Sequence, residues 1–295
     1  MNKRDVITRL VVEASQTELH FQTHAAVTMR VRRALDDPDI SVAEVAKLIQ
    51  AEPVLAARVV AVANSAAFDR SGRAIADVRS AVSRLGFRNV RSLATAFLVR
   101  QMDGSKGGSR AGSSAPQQRM AKQLWEHTAH VSALAQVLAR RVTHVDPEAA
   151  LFAALVHEVG GFYVLSRSAE FPGLLEGDPA DWNEPDLLDL DTQLGRVVLH
   201  ALIVPESTLG ILEDFWAGFL ALPPHTLADT LLLAEDLAPV ASPFHEVRNL
   251  SNSDGSSAEV GAAASIEVIL GTETLSAILR ESAEEVSSLA VALQL

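Results

Sequence analysis

The chain has 295 residues, 48% hydrophobic and 21% charged, with no cysteine and a formal net charge of −12. That size and apolar content suffice for one large core or two modest ones, and the lack of cysteine excludes disulfides, thiol catalysis and zinc–thiolate sites. Its apolar runs fall short of the ~20 residues that span a bilayer, and the opening MNKRDVITRL has charges where a secretory leader needs an apolar stretch, so the expected compartment is the cytoplasm, away from membranes.

Residues 5–35 carry apolar positions such as Leu10, Leu19 and Val27 and predict one or two helices. Asp36-Asp37-Pro38-Asp39 is turn chemistry. Ser41 and Glu44 then have the spacing of a capping box, opening a helix through Val45, Ala46 and Ile49. Pro53 suits the first turn of the next helix, and Asn64-Ser65 marks its end. Asp77 is placed to cap a short helix to Leu85, with Gly86 as the left-handed residue beyond it. A longer helix from Arg88 to Gln101 directs Val90, Leu93, Ala94, Phe97 and Leu98 inward.

Arg84, Arg88 and Arg91 cluster around that turn, either as a binding site for an anionic partner or as a solvated helix face. Charge is uneven on the larger scale too. The first 102 residues hold 15 Lys and Arg against 10 Asp and Glu, and the remainder hold 10 against 27. Helix, glycine turn and helix invite a DNA-reading interpretation of residues 77–101. The second helix is apolar over much of its surface, which suits a core element better than a groove reader, so DNA is not the expected partner.

Asp103 to Gln118 contains four glycines and four serines and predicts a flexible linker. It lacks the GxxxxGK[ST] order of a phosphate loop. A long helix over residues 119–142 then aligns Leu124, Val131, Leu134 and Leu138, and His127 falls on the same inward stripe. Asp146-Pro147 opens an apolar helix that ends at His157-Glu158, followed by Gly160-Gly161. An imidazole and a carboxylate there are costly to bury unless something satisfies them. Either a divalent metal takes both as ligands, or Glu158 reaches water and His157 bonds the backbone. Further helices are predicted over residues 185–204, 206–219 and 225–240, the last around Glu235-Asp236. Residues 249–263 form a second low-complexity break, and 266–295 predict one or two amphipathic helices that pack on the body or on another chain. No alternating strand pattern exceeds a few residues, so the expected fold class is all-α.

Four segments in order, AEPVLAARVVAVANSAAF, AVSRLGFRNVRSLA, LWEHTAHVSALAQVLARR and AALVHEVGG, resemble successive parts of the HD-related output domain (HDOD) family, a degenerate branch of the HD superfamily. The resemblance covers roughly Val42 to Gly161 and continues more weakly to about Val240. It implies an N-terminal helical lobe (1–102), a linker (103–118), a degenerate HD-like lobe (119–245) and a C-terminal helical extension (246–295). It also implies a bacterial signalling or regulatory protein, a pseudoenzyme without the hydrolase activity of true HD enzymes. Its partner would be a signalling protein or a small anionic messenger such as a nucleotide. Oligomeric state stays open, a homo-oligomer included.

The HD pattern of a His, a later His-Asp pair and a final Asp around a metal carries over to His127, His157, Glu158 and Glu235, with Asp236 as the fallback for the last. Glu stands for Asp at both acid positions. Gly161 stands where HD enzymes often have Lys, removing a cation that would stabilise a phosphate. Asp191-Thr192 and Glu213-Asp214 occupy regions where the family often has histidines. The expectation is therefore no catalytic residue and no cofactor. The alternative is a metal-dependent phosphohydrolase with a divalent ion on those four residues.

Overall fold

In the computed structural model of the chain, the described residues are 2–16, 25–69, 72–104, 114–176, 181–182, 184–245, 251–252 and 272–293. Their regular secondary structure is helical except for one two-residue parallel pairing, β1 (Phe219–Leu220) with β2 (Ser251–Asn252). The all-α expectation holds.

The front of the chain forms α1 (Lys3–Gln16), α2 (Ala25–Ala34), α3 (Val42–Gln50), α4 (Pro53–Ala63) and α5 (Val78–Gly104). The capping box opens α3: Ser41 Oγ accepts from the Glu44 amide at 3.2 Å, and the Glu44 carboxylate accepts from the Ser41 amide at 2.9 Å. Pro53 begins α4 behind Glu52, whose carboxylate accepts from the Leu55 amide at 2.7 Å. Asn64 ends α4 and clamps the next loop, donating to the Ile75 carbonyl at 2.7 Å and accepting from its amide at 2.8 Å. In α5, Gly86 interrupts the helix at φ 74°, ψ 156°. The positive φ is as expected, although the ψ is extended rather than left-handed helical. Val90 and Ala94 beyond it are buried, and α5 packs on α2, α3 and α4 as a core element. The side chains of Phe97 and Leu98 lie outside the described residues.

The rear of the chain is built on α6 (Ala115–Leu138), which continues through a wide π turn (Ala139–Thr143). Around α6 stand α7 (Pro147–Val156), α8 (Val159–Arg167), α11 (Leu227–Leu237) and α12 (Thr272–Leu293), while α9 (Pro185–Ala201) packs on α8 and α10 (Glu206–Ala217) on α11. α4 and α5 touch α7, and the Trp125 indole of α6 donates to the Ala51 carbonyl at 3.3 Å, so the two ends of the chain share a core.

Four expectations need correction. The linker is shorter than residues 103–118, because 103–104 end α5 and 115–118 form the first turn of α6, where Ser114 Oγ accepts from the Gln117 amide; residues 105–113 lie outside the described residues. The helix expected over 225–240 closes at Leu237. The first helix does not pack with α2–α5. Val6, Ile7, Leu10 and Ala14 of α1 are buried, and the helix lies along α9, tied by Lys3 to Asp181 at 3.0 Å, Arg4 to Asp186 at 2.7 Å and Arg167 to Glu13 at 2.8 Å. Finally, Pro147–Glu170 does meet the length and hydropathy of a membrane span, but 94% of its most apolar window is buried inside the protein and the chain turns at His157-Glu158. Of the low-complexity break, residues 249–250 and 253–263 lie outside the described set.

Candidate functional site

The site forms where α7 stops. Asp146 caps that helix, accepting from the Glu148 amide at 2.9 Å and the Ala149 amide at 3.3 Å. Every residue from Ala149 to Val156 is buried. The helix therefore delivers His157, its C-cap, and Glu158 directly into the core. α8 leaves at an angle that only glycines allow. A Cβ on Gly160 would lie 3.1 Å from the Gly195 amide nitrogen of α9, and a Cβ on Gly161 would lie 2.8 Å from the Phe244 ring.

His127, His157, Glu158 and Glu235 meet there, with exposures of 0%, 6%, 3% and 4%. Glu235, not Asp236, is the acid that faces the histidines. His157 bonds the backbone, Nδ1 donating to the Ala154 carbonyl at 2.5 Å, whereas Glu158, far from reaching water, is sealed in. His127 Nδ1 likewise donates to the Val240 carbonyl at 2.8 Å.

Those two bonds decide the chemistry. A neutral imidazole that donates from Nδ1 carries its lone pair on Nε2. The Nε2 atoms of His127 and His157 face each other at 3.2 Å, and Glu235 Oε2 lies 3.4 Å from each with no hydrogen-bond partner. Three electron-rich atoms converge, so the arrangement needs a cation between them, either a proton or a metal ion. The geometry fits an ion. Bonds of about 2.1 Å put tetrahedral donors about 3.4 Å apart, and Nδ1–H to a backbone carbonyl is the outer-sphere contact that orients metal-binding histidines. His127, His157 and Glu235, whose ligand atoms all lie within 4.8 Å of one another, would hold it. When bound, such an ion supplies Lewis acidity. The donor set is more complete than the two Asp-to-Glu replacements suggest.

Glu158 is committed elsewhere. The residue that the sequence reading missed is His245, whose Nε2 lies 2.5 Å from Glu158 Oε1, while Glu158 stays 3.8 and 3.9 Å from the other two imidazoles. Burial pushes the Glu158 carboxyl up, but His245, His157 and His127 outweigh it and bring the group down to about 2. Burial pushes His245 down, and Glu158 with Glu235 and Asp191 more than reverses this, to about 9. Glu235 is held well below the usual carboxylate range, since His127 and His157 overcome its burial. The net shift of His127 is upward, desolvation losing to Glu235 and Glu158. Only one sequence signal marks His245, a histidine ten residues beyond the acid of α11. Loop residues have no periodicity that would show where such a side chain points.

The arginines are not part of this site. Arg84 donates to the Arg73 carbonyl at 2.7 Å and the Ala63 carbonyl at 3.2 Å and pairs with Asp69 at 3.4 Å. Arg91 donates to the Leu35 carbonyl and pairs with Asp36 at 3.2 Å. Arg88 is exposed. Near α9, Arg196 pairs with Glu213 at 2.5 Å, so that acid is engaged in a surface ion pair.

The HDOD domain model matches residues 22–176, just over half the chain. No curated protein sequence matches. Among solved structures, the MmoQ response regulator from Methylococcus capsulatus str. Bath is similar in fold at 18% identity and TM-score 0.51, covering 90% of this chain and 96% of that one. A fragment of the same protein reaches 0.53 at 18% identity, covering 75% and 87%. An HDOD domain protein from Geobacter sulfurreducens with unknown function aligns over 99% of both chains at 20% identity and TM-score 0.42.

Proposed function

We propose, from the premise that the chain belongs to the HDOD domain family, that it is a non-catalytic regulatory module that acts by binding a signalling protein or a small anionic messenger. The single observation that carries this reading is closure of the histidine pocket. All five titratable side chains are at least 94% buried, and Phe244 lies against Gly161, where a phosphate-stabilising Lys would have to stand. A hydrolase needs room for substrate beside its donors, and this pocket is filled by the protein's own side chains. Its remaining value is architectural, joining α6, the end of α7 and α11.

A second reading, metal-dependent phosphohydrolase, draws on one observation: the unpartnered Glu235 Oε2 between two facing Nε2 atoms. The two separate on the purified protein and His157→Ala, assayed with Mn2+ against generic phosphomonoesters and phosphodiesters. The regulatory reading expects no turnover above background and a lower melting temperature for the variant. Metal-dependent turnover abolished by the substitution would replace it with the second.

A further inference from the structure

Residues 238–245 cross the pocket between α11 and β2, whereas His127, Gly161 and Glu235 stand on helices. The backbone of this strap is held by side chains. His127 donates to the Val240 carbonyl at 2.8 Å, and Gln123 of α6 donates to the Ala241 carbonyl at 3.0 Å. From Ser242 to His245 the strap is buried. Phe244 sits edge-on to Trp182 at 5.0 Å and against the bare Cα of Gly161, and His245 bonds Glu158.

We propose that residues 240–245 are a built-in plug of the histidine pocket, seated by Phe244, latched by His245 on Glu158, and able to swing out while the helices stay folded. This rests on the reading of the pocket as closed, and says how it is closed. Two features of the sequence that look like losses are the two halves of the device. Gly161 makes room for Phe244: a Cβ there would meet the ring at 2.8 Å and Glu158 Oε2 at 3.1 Å. The longer arm of Glu158 reaches away from His127 and His157 to the strap. Residues 239–245 lie outside the helices, so opening them breaks no helical hydrogen-bond ladder.

Access of a small reagent to His127 and His157 tests the plug without needing any ion. Diethyl pyrocarbonate modifies neutral imidazole, and peptide mass spectrometry reads each histidine separately; the exposed His225 serves as the internal control. In the wild-type protein, labelling of His157 should be slow relative to His225 and nearly independent of urea below the unfolding transition, as for a local opening that exposes little surface. Phe244→Ala should speed it about tenfold or more, the factor for each 1.4 kcal/mol taken from the closed state, with a cooperative melt retained. His245→Gln, which keeps a donor but not the charge, should give a smaller acceleration. A urea dependence in the wild type as steep as global unfolding, or unchanged labelling in a folded Phe244→Ala, overturns the plug. Either result leaves the phosphoester assay to decide on turnover separately, and turnover there would leave the plug standing as a gate.

Discussion

Glu52 caps α4 from a position only 4% exposed, and burial drives its carboxyl up to about 7 against the Leu55 and Val54 amides that pull it down. The folded state therefore binds a proton that the unfolded chain releases near the ordinary value of 4.5. Linkage gives the sign: stability from this group is complete below about pH 4.5, falls as pH rises, and has levelled out above about pH 7, a loss on the order of 3 kcal/mol. Glu52→Gln keeps an acceptor for Leu55 and removes the titration. Urea denaturation should show the variant more stable than wild type at pH 8 and no more stable at pH 4.5. A constant difference across that range would show that the carboxyl is already ionised in the folded core.

At the scale of elements, the pocket depends on how closely α8 crosses α9. Gly160 and Gly195 meet backbone to backbone, and Gly195 in turn faces the Trp216 ring, 3.2 Å from where a Cβ would stand. Backbone cannot move aside as a flexible side chain can, so Gly160→Ala should cost about 1–3 kcal/mol. Gly210 in α10 has nothing within 4 Å of an added Cβ and is exposed. There the same substitution should stabilise by about 0.5–1 kcal/mol, through helix propensity alone. Opposite shifts in the urea midpoint would confirm the tight crossing, and equal shifts would remove it from the account.

For the whole molecule, the converging donors come from three separate helices, so an ion held there would cross-link the fold. Anything that binds only the native state stabilises by mass action, about 2.7 kcal/mol at a free concentration a hundred times the dissociation constant. Added Zn2+ should therefore raise the melting temperature of the wild type and leave Glu235→Gln, which loses the unpartnered carboxylate oxygen, nearly unmoved. An equal rise in both would place binding at other histidines. The acidic rear of the chain is partly spent on its own packing, since the basic Lys3 and Arg4 of α1 pair with acids of the 181–186 stretch.

Much of this was legible before any coordinates. Capping residues and 3.6-residue periodicity located most of the helices, His127 declared itself by sharing a stripe with Leu124 and Val131, and family resemblance picked out Glu235. These are local signals, carried by residues within a turn or two of one another. Tertiary structure alone decided that α1 lies on α9, because an apolar stripe says that a helix is covered but not by what. It alone placed His245 on Glu158 and Phe244 on Gly161, contacts across 87 and 83 positions of chain. Contacts that distant are chosen by packing, and a loop residue carries no period from which its direction could be read.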